Sequence, residues 1–209
     1  MKQTKLLMSI AAIVPVYGEN GGNSTRIYFS DGSRYDYNLK LKTVLNRLAR
    51  YFNYSLTHLR ENYGTYLCCR HSAPLPLNEK LVLVPFKARI PHWPQDGSSG
   101  YVNLMAVEKT EALAPMIEPD QPKCQIHLKG DTHLACYITE TTLQKRFQKG
   151  RQSRDYFLSK HGRHPLHDHY RVSTGKILKA SEDQHTPSKL TIEVSLDEEI
   201  LRKLLKTDS

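Results

Sequence analysis

The side chains best able to do chemistry in this sequence are its cations, followed by a few cysteines and histidines. Thirty Lys and Arg stand against 21 Asp and Glu, giving a formal net charge of +9 and a pI near 9.3. A polyanionic partner is therefore the first expectation. The excess is uneven: residues 1–144 hold 16 basic and 12 acidic side chains, residues 145–179 hold 10 and 2, and residues 180–209 hold 4 and 7. A band of net +8 thus separates a mildly basic body from an acidic tail, an asymmetry typical of chains that meet nucleic acid.

Nucleophilic and metal chemistry are less well served. Cys68 and Cys69 precede Arg70 and His71, and His92 follows, so a Cys-His hydrolase has its residue types. No nucleophile elbow, glycine-rich phosphate loop or paired-carboxylate signature accompanies them, and no enzyme is expected. The four cysteines at 68, 69, 124 and 136 make no disulfide framework and read as reduced structural thiols. His161, His164, His167 and His169 are interrupted by Gly162 and Pro165, so no single helix or strand presents them together. Neither a metal nor a cofactor is expected.

Phosphates are held by Lys and Arg, and base edges by Arg, Asn, Gln, Ser or His presented on firmly held loops. Three stretches have that composition: 20–26 with Asn23, Thr25 and Arg26; 87–99 with Lys87, Arg89, His92, Ser98 and Ser99; and 139–146 with Thr141, Lys145 and Arg146. Each has an ordinary use as well. Arg26 could pair with Asp31, Lys87 and Arg89 could flank a strand, and Lys145 and Arg146 could be the wet face of a helix.

The elements that must position these residues begin at Arg26. Ile27 and Phe29, then Tyr35 and Tyr37, alternate with polar residues around Asp31-Gly32, which predicts a β-hairpin. From Asn38, a plausible N-cap, Leu41, Val44, Leu45 and Leu48 take helical spacing, with Lys40, Lys42, Arg47 and Arg50 on the wet side. Upstream, LLMSIAAIV after Lys2 and Lys5 could pass for a signal peptide but reads as a buried strand ending at Pro15. Downstream, 53–64 reads as chain leaving the helix, 65–71 as a strand, and 81–86 (LVLVPF) as a buried strand in which Pro85 marks an end, edge or bulge. The Pro- and Gly-rich stretch 87–100 reads as a functional loop, 101–107 as a strand and 108–123 as a loop. A second hairpin turns at Gly130-Asp131, and a short basic helix runs from Thr139 to Gly150. Residues 190–194 read as a strand, and a capping box from Ser195 opens a final helix. No apolar run is long enough for a spanning helix, so no membrane segment is expected.

The order of these pieces carries a resemblance. The Asp-Gly hairpin, the Leu-Lys-x-Val-Leu helix, Tyr101-Val102-Asn103-Leu104, the Lys129-Gly130 hairpin and Leu143-Gln144-Lys145-Arg146-Phe147 look like the LytTR class of bacterial DNA-binding domain. Gly64-Thr65-Tyr66, Pro74 and Pro76, the LVLVPF strand and Trp93 resemble more closely the ComK family of competence transcription factors, over roughly Ser9 to Lys160. The chain departs from both patterns, reading Val84-Pro85-Phe86 where ComK proteins usually have Phe-Pro-Thr, and Gly97-Ser98-Ser99-Gly100 where LytTR proteins usually carry His-Arg-Ser.

The resemblance implies an α+β fold, mainly antiparallel sheet with a few short helices. It implies a ComK-like DNA-binding domain over 1–150, followed at 151–209 by a basic segment and a strand-helix extension. It further implies a cytoplasmic, sequence-specific transcriptional activator that binds A/T-rich double-stranded DNA as a homo-oligomer, with adaptor, protease or RNA polymerase contacts. Asn103 and Arg26 are the positions to which the pattern assigns DNA contact. Rival readings are a non-specific RNA or single-strand binder, with Tyr and Trp stacking bases on a β face, and a secreted binding module.

Overall fold

The computed structural model describes residues 7–19, 21–114 and 120–161, which form an α+β fold with two antiparallel sheets. The strands are β1 (Ile10–Tyr17), β2 (Asn23–Phe29), β3 (Arg34–Tyr37), β4 (Leu75–Pro76), β5 (Val82–Lys87), β6 (Ser99–Asn103), β7 (Val107–Ala112), β8 (Cys124–Leu128) and β9 (Thr132–Cys136). The helices are α1 (Leu41–Tyr51), α2 (Leu56–Tyr66) and α3 (Glu140–His161). Six strands run in the order β3-β2-β1-β6-β5-β4, and β7-β8-β9 form the smaller sheet.

The large sheet is covered on both faces, which is why its central strands are apolar without alternation. Ile10, Ile13, Ile27, Phe29, Leu83 and Tyr101 pack with Val44, Leu45 and Leu48 of α1 and Leu56, Leu59 and Tyr63 of α2. Ala12, Val14, Val84, Phe86 and Val102 pack with Cys124, Ile126 and Leu134 of the small sheet and Leu143 and Phe147 of α3. An irregularity in β1 between Ile10 and Ala12 puts Ala11 and Ala12 in the same core, as a bulge does. Pro85 lies beyond the reach of β4, which pairs only with Val82 and Leu83. Its edge carbonyl accepts instead from Arg146 Nη1 at 3.1 Å.

Several segments differ from expectation. Residues 56–66 are helical: Leu56, Leu59 and Tyr63 form one buried stripe, Ser55 Oγ accepts from His58 N at 3.5 Å, and Asn53, in the left-handed region at φ 61, separates α1 from α2. Arg70–Ser72 is a single 3-10 turn rather than part of a strand. Residues 107–112 are an edge strand, polar on both faces and so without readable alternation. The 101–107 segment breaks at Leu104–Ala106, where Asn103 Oδ1 accepts from Met105 N at 3.2 Å. α1 begins at Leu41 with Lys40 as its N-cap, while Asn38 Oδ1 accepts from Ser24 Oγ at 3.4 Å.

The helix expected to stop at Gly150 continues to His161, so the boundary at 150/151 falls inside an element. Gly150 is no terminator. It lies where the helix crosses β5 closely enough that a Cβ would come 2.6 Å from Val84 Cγ2, and Ser153 and Phe157 continue the buried stripe. His164, His167, His169 and the strand and helix expected at 190–205 lie outside the described residues.

Candidate functional site

One end of the large sheet gathers the loops singled out in the sequence. There β1 ends at Tyr17, opposite Asn23 of β2, and β5 ends at Lys87, opposite Ser99 of β6. The 87–99 loop is fastened by its side chains. Asn23 Nδ2 donates to Asp96 Oδ1 at 2.6 Å, Tyr17 OH donates to Asp96 Oδ2 at 2.7 Å, and the backbone N of His92 donates to Tyr17 OH at 2.8 Å. Arg89 Nε donates to Gly97 O at 2.8 Å and Nη2 donates to Asn23 Oδ1. The guanidinium lies 4.2 Å from the centre of the Tyr17 ring, on which the His92 imidazole also stacks at 4.2 Å. Hydrogen bonds from Asn23, then Tyr17, hold the Asp96 carboxyl below its usual range. A loop built this way is rigid, and it presents Trp93 to solvent with 65 % of its surface exposed.

Beside this loop a cleft of about 580 Å³ opens on the helix-covered side of the sheet. Lys40 and Lys42 at the start of α1, Arg60 of α2, Arg70 and His71 of the 3-10 turn, and Arg89 line it; Asp96 is the one carboxylate in its wall. None of Lys40, Lys42, Arg60, Arg70 and His71 makes an ion pair among the described residues, whose close pairs are Arg26–Asp36, Lys109–Glu111, His127–Glu111 and His133–Asp131. Arg60 is steadied by donating to Tyr101 OH at 3.0 Å. α1 enters the cleft with no side chain capping it and no acid in its first turn. That inverts the usual arrangement, in which anionic groups sit at the positive end of a helix dipole.

The sequence-derived contacts divide into those free to touch a partner and those the fold has taken. Thr25 is fully buried and donates to Leu39 O at 2.7 Å. Asn103 is buried, accepts from Val82 N and Met105 N, and donates to Ile10 O and Lys80 O, stitching three segments together. Neither reaches a surface. Arg26 is paired, and the partner is Asp36 rather than Asp31: its Nε and Nη2 donate to the two carboxylate oxygens at 2.6 and 2.7 Å. The Arg26 guanidinium is held protonated and the Asp36 carboxyl is pushed down by the same bond. Asp31 instead closes its own turn by accepting from Ser33 N and Ser33 Oγ.

Asn23 and Arg89 form the loop's scaffold, and the Ser98 carbonyl accepts from Ala88 N at 2.8 Å. Lys87 O accepts from Tyr137 N at 2.9 Å, which ties the chain entering α3 to this same end of the sheet. Thr141 and Lys145 are exposed on the first turns of α3, and His92 and Ser99 are exposed at the loop. Arg146 is half-buried against β5. Lys40, Lys42, Arg60, Arg70 and His71 were not among the expected contacts. The legible signal was a helix start bearing two lysines and no acid.

Among the described residues no group of three or more His, Cys, Asp or Glu could hold a metal ion. Cys124 and Cys136 pair across β8 and β9, and burial followed by the neighbouring Cys136 pushes the Cys124 thiol up to about 12, so it stays neutral. No helix among these residues is long and apolar enough to cross a membrane. Neither models of protein families, nor curated proteins, nor solved structures provide a match to this chain.

Proposed function

We propose that the protein is a cytoplasmic transcriptional activator that binds double-stranded DNA through the end of the sheet formed by the 87–99 loop, the start of α1 and the start of α3. The reading rests chiefly on one observation: cations from four separate segments converge on that end and have no carboxylate ion-pair partner among the described residues. Crowding like charges costs free energy; the negative charge of a phosphate backbone relieves it, and release of the condensed counterions adds to the gain. Rigid loops at a sheet end are a known way of reaching into a groove, and Trp93, His92, Ser99 and Lys145 are the exposed side chains in position to touch sugar or base. The resemblance to ComK supplies the finer expectation of A/T-rich sites bound by oligomers.

The test is fluorescence anisotropy of a labelled duplex against salt. A slope of log K against log salt of about −4 or steeper is expected, each neutralised phosphate contributing roughly −0.9. A flat dependence sinks the reading. The exposed Trp93 favours a second one, single-strand binding by base stacking. Competition between duplex and single strand of the same sequence decides between them.

A further inference from the structure

We propose that the cleft between α1, α2 and the 3-10 turn is a dedicated seat for a single phosphate group. This deepens the DNA reading and rests on it only for the source of the phosphate, which is either the nucleic-acid backbone or a free phosphorylated small molecule. First, the space is a defined concavity of about 580 Å³, within the range of small-ligand sites and too small for a duplex to enter whole. Second, its wall carries Lys40, Lys42, Arg60, Arg70 and Arg89 against Asp96, a formal +4 with His71 neutral. Asp96 already accepts from Asn23 and Tyr17, which leaves it poorly placed to neutralise them.

Third, the 11-residue helix α1 begins in this cleft with Lys40 extended at φ −63, ψ 143, uncapped, so its first-turn amides and its dipole lack the anionic group such ends usually acquire. Two lysines there make the local field worse until an anion arrives. Fourth, Arg89 stands in the wall only 9 % exposed, and its buried Nη1 has no hydrogen-bond partner among the described residues. This buried guanidinium makes no carboxylate contact among the described residues, and the negative charge of an oxyanion in the cleft stabilises it at short range. Tetrahedral phosphate suits a ring of cations arriving from several directions better than a planar carboxylate, which one arginine can take by itself.

The experiment is calorimetric titration of inorganic phosphate and, separately, of ADP into the full-length chain at low salt, with sodium chloride of matched ionic strength as control. A saturable heat is expected for phosphate or ADP and none for chloride, with a dissociation constant of about 1 mM or tighter. Trp93 is the sole tryptophan, and its emission should follow the same isotherm. Lys42→Ala with Arg70→Ala should weaken binding at least about ten-fold, whereas Lys129→Ala, at the exposed β8–β9 turn, should leave it unchanged; Lys42→Gln with Arg70→Gln serves if the first pair compromises folding. If phosphate displaces labelled duplex and the double variant also loses duplex affinity, the seat takes a backbone phosphate. If the double variant loses phosphate but keeps duplex affinity, the seat takes a free ligand. Absence of any saturable response in the folded wild type overturns the proposal, whether or not duplex binds. Loss of duplex binding alone, with the phosphate isotherm intact, overturns only the DNA reading.

Discussion

The two ends of the large sheet are built on opposite plans. At one, the turns of the β2–β3 and β8–β9 hairpins meet back to back: a Cβ on Gly32 would lie 2.6 Å from Gly130 O, and one on Gly130 would collide with Gly32 N. Both glycines hold left-handed backbone, at φ +86 and +79, and the contact is main chain against main chain. At the other, the 87–99 loop is held in large part by the side chains of Tyr17, Asn23, Arg89 and Asp96, and it lies beside a cleft of net positive charge. Backbone contact leaves no room to vary, while a side-chain scaffold can be re-equipped residue by residue. Both ends are held in place, the first by main chain, and the second has side-chain chemistry available.

That contrast can be broken most sharply at Gly130. Gly130→Ala forces a β-carbon into the opposing turn and into positive φ together, and we expect a loss of about 2–4 kcal/mol by urea denaturation with duplex affinity of the folded fraction unchanged. A loss under about 0.5 kcal/mol would mean that the turns do not bear on one another. Asn103→Ala comes next. It strands Val82 N, Met105 N, Ile10 O and Lys80 O, at about 1–3 kcal/mol for a buried group left unpaired, and should lower stability without altering the ratio of specific to non-specific affinity. A changed ratio with intact stability would return Asn103 to the DNA surface.

At the cationic end the expected effects move from stability to binding. Trp93→Ala should leave the unfolding midpoint within about 0.5 kcal/mol and weaken nucleic-acid affinity by about 1–3 kcal/mol, the scale of base stacking. Loss concentrated on single strands rather than duplex would favour the stacking reading. The smallest effect is at the Arg26–Asp36 pair. The hydrogen bond from Arg26 lowers the folded-state pKa of Asp36, so the pair's contribution is complete above the ordinary carboxylate value near 3.9 and disappears as pH falls through the lower folded value. Asp36 is exposed and Arg26 partly so, which limits the gain to under about 1 kcal/mol. Asp36→Asn should therefore cost stability at pH 7, and that cost should shrink as the pH falls below the ordinary carboxylate range, measured by urea midpoints.

How much of this was legible in the sequence depends on how local the cause is. Both hairpins announced themselves through Asp31-Gly32 and Gly130-Asp131, and the central strands through unbroken apolar runs, because turn chemistry and double burial are written in adjacent residues. α2 was hidden by its own composition. Its buried stripe is only Leu56, Leu59 and Tyr63, and Gly64, which resembles a terminator, is present because a Cβ there would come 3.1 Å from Arg70 Cα. β7 was invisible because an edge strand exposed on both faces has no alternation to read. The cleft was illegible as a unit, since residues 40–42, 60, 70–71 and 89–99 converge only through the fold. Thr25 and Asn103 have residue types suited to base contact, and nothing local reveals that each is spent inside.

The long crossing of α3 has a consequence for how the protein is made. Its first half packs under the sheet through Leu143 and Phe147. Its second half reaches the other core, where Tyr156 stacks on Tyr66 at 3.9 Å, and Arg154 Nε donates to Glu79 O at 2.9 Å. A chain emerging from the ribosome therefore exposes the apolar flank of β5 and the edge beyond β4 until some seventy residues past Phe86 have been synthesised, the interval over which long-range contacts are slow to form and strand edges are open to aggregation. A released chain ending at residue 150 should be retained by chaperones, and one ending at residue 161 should not.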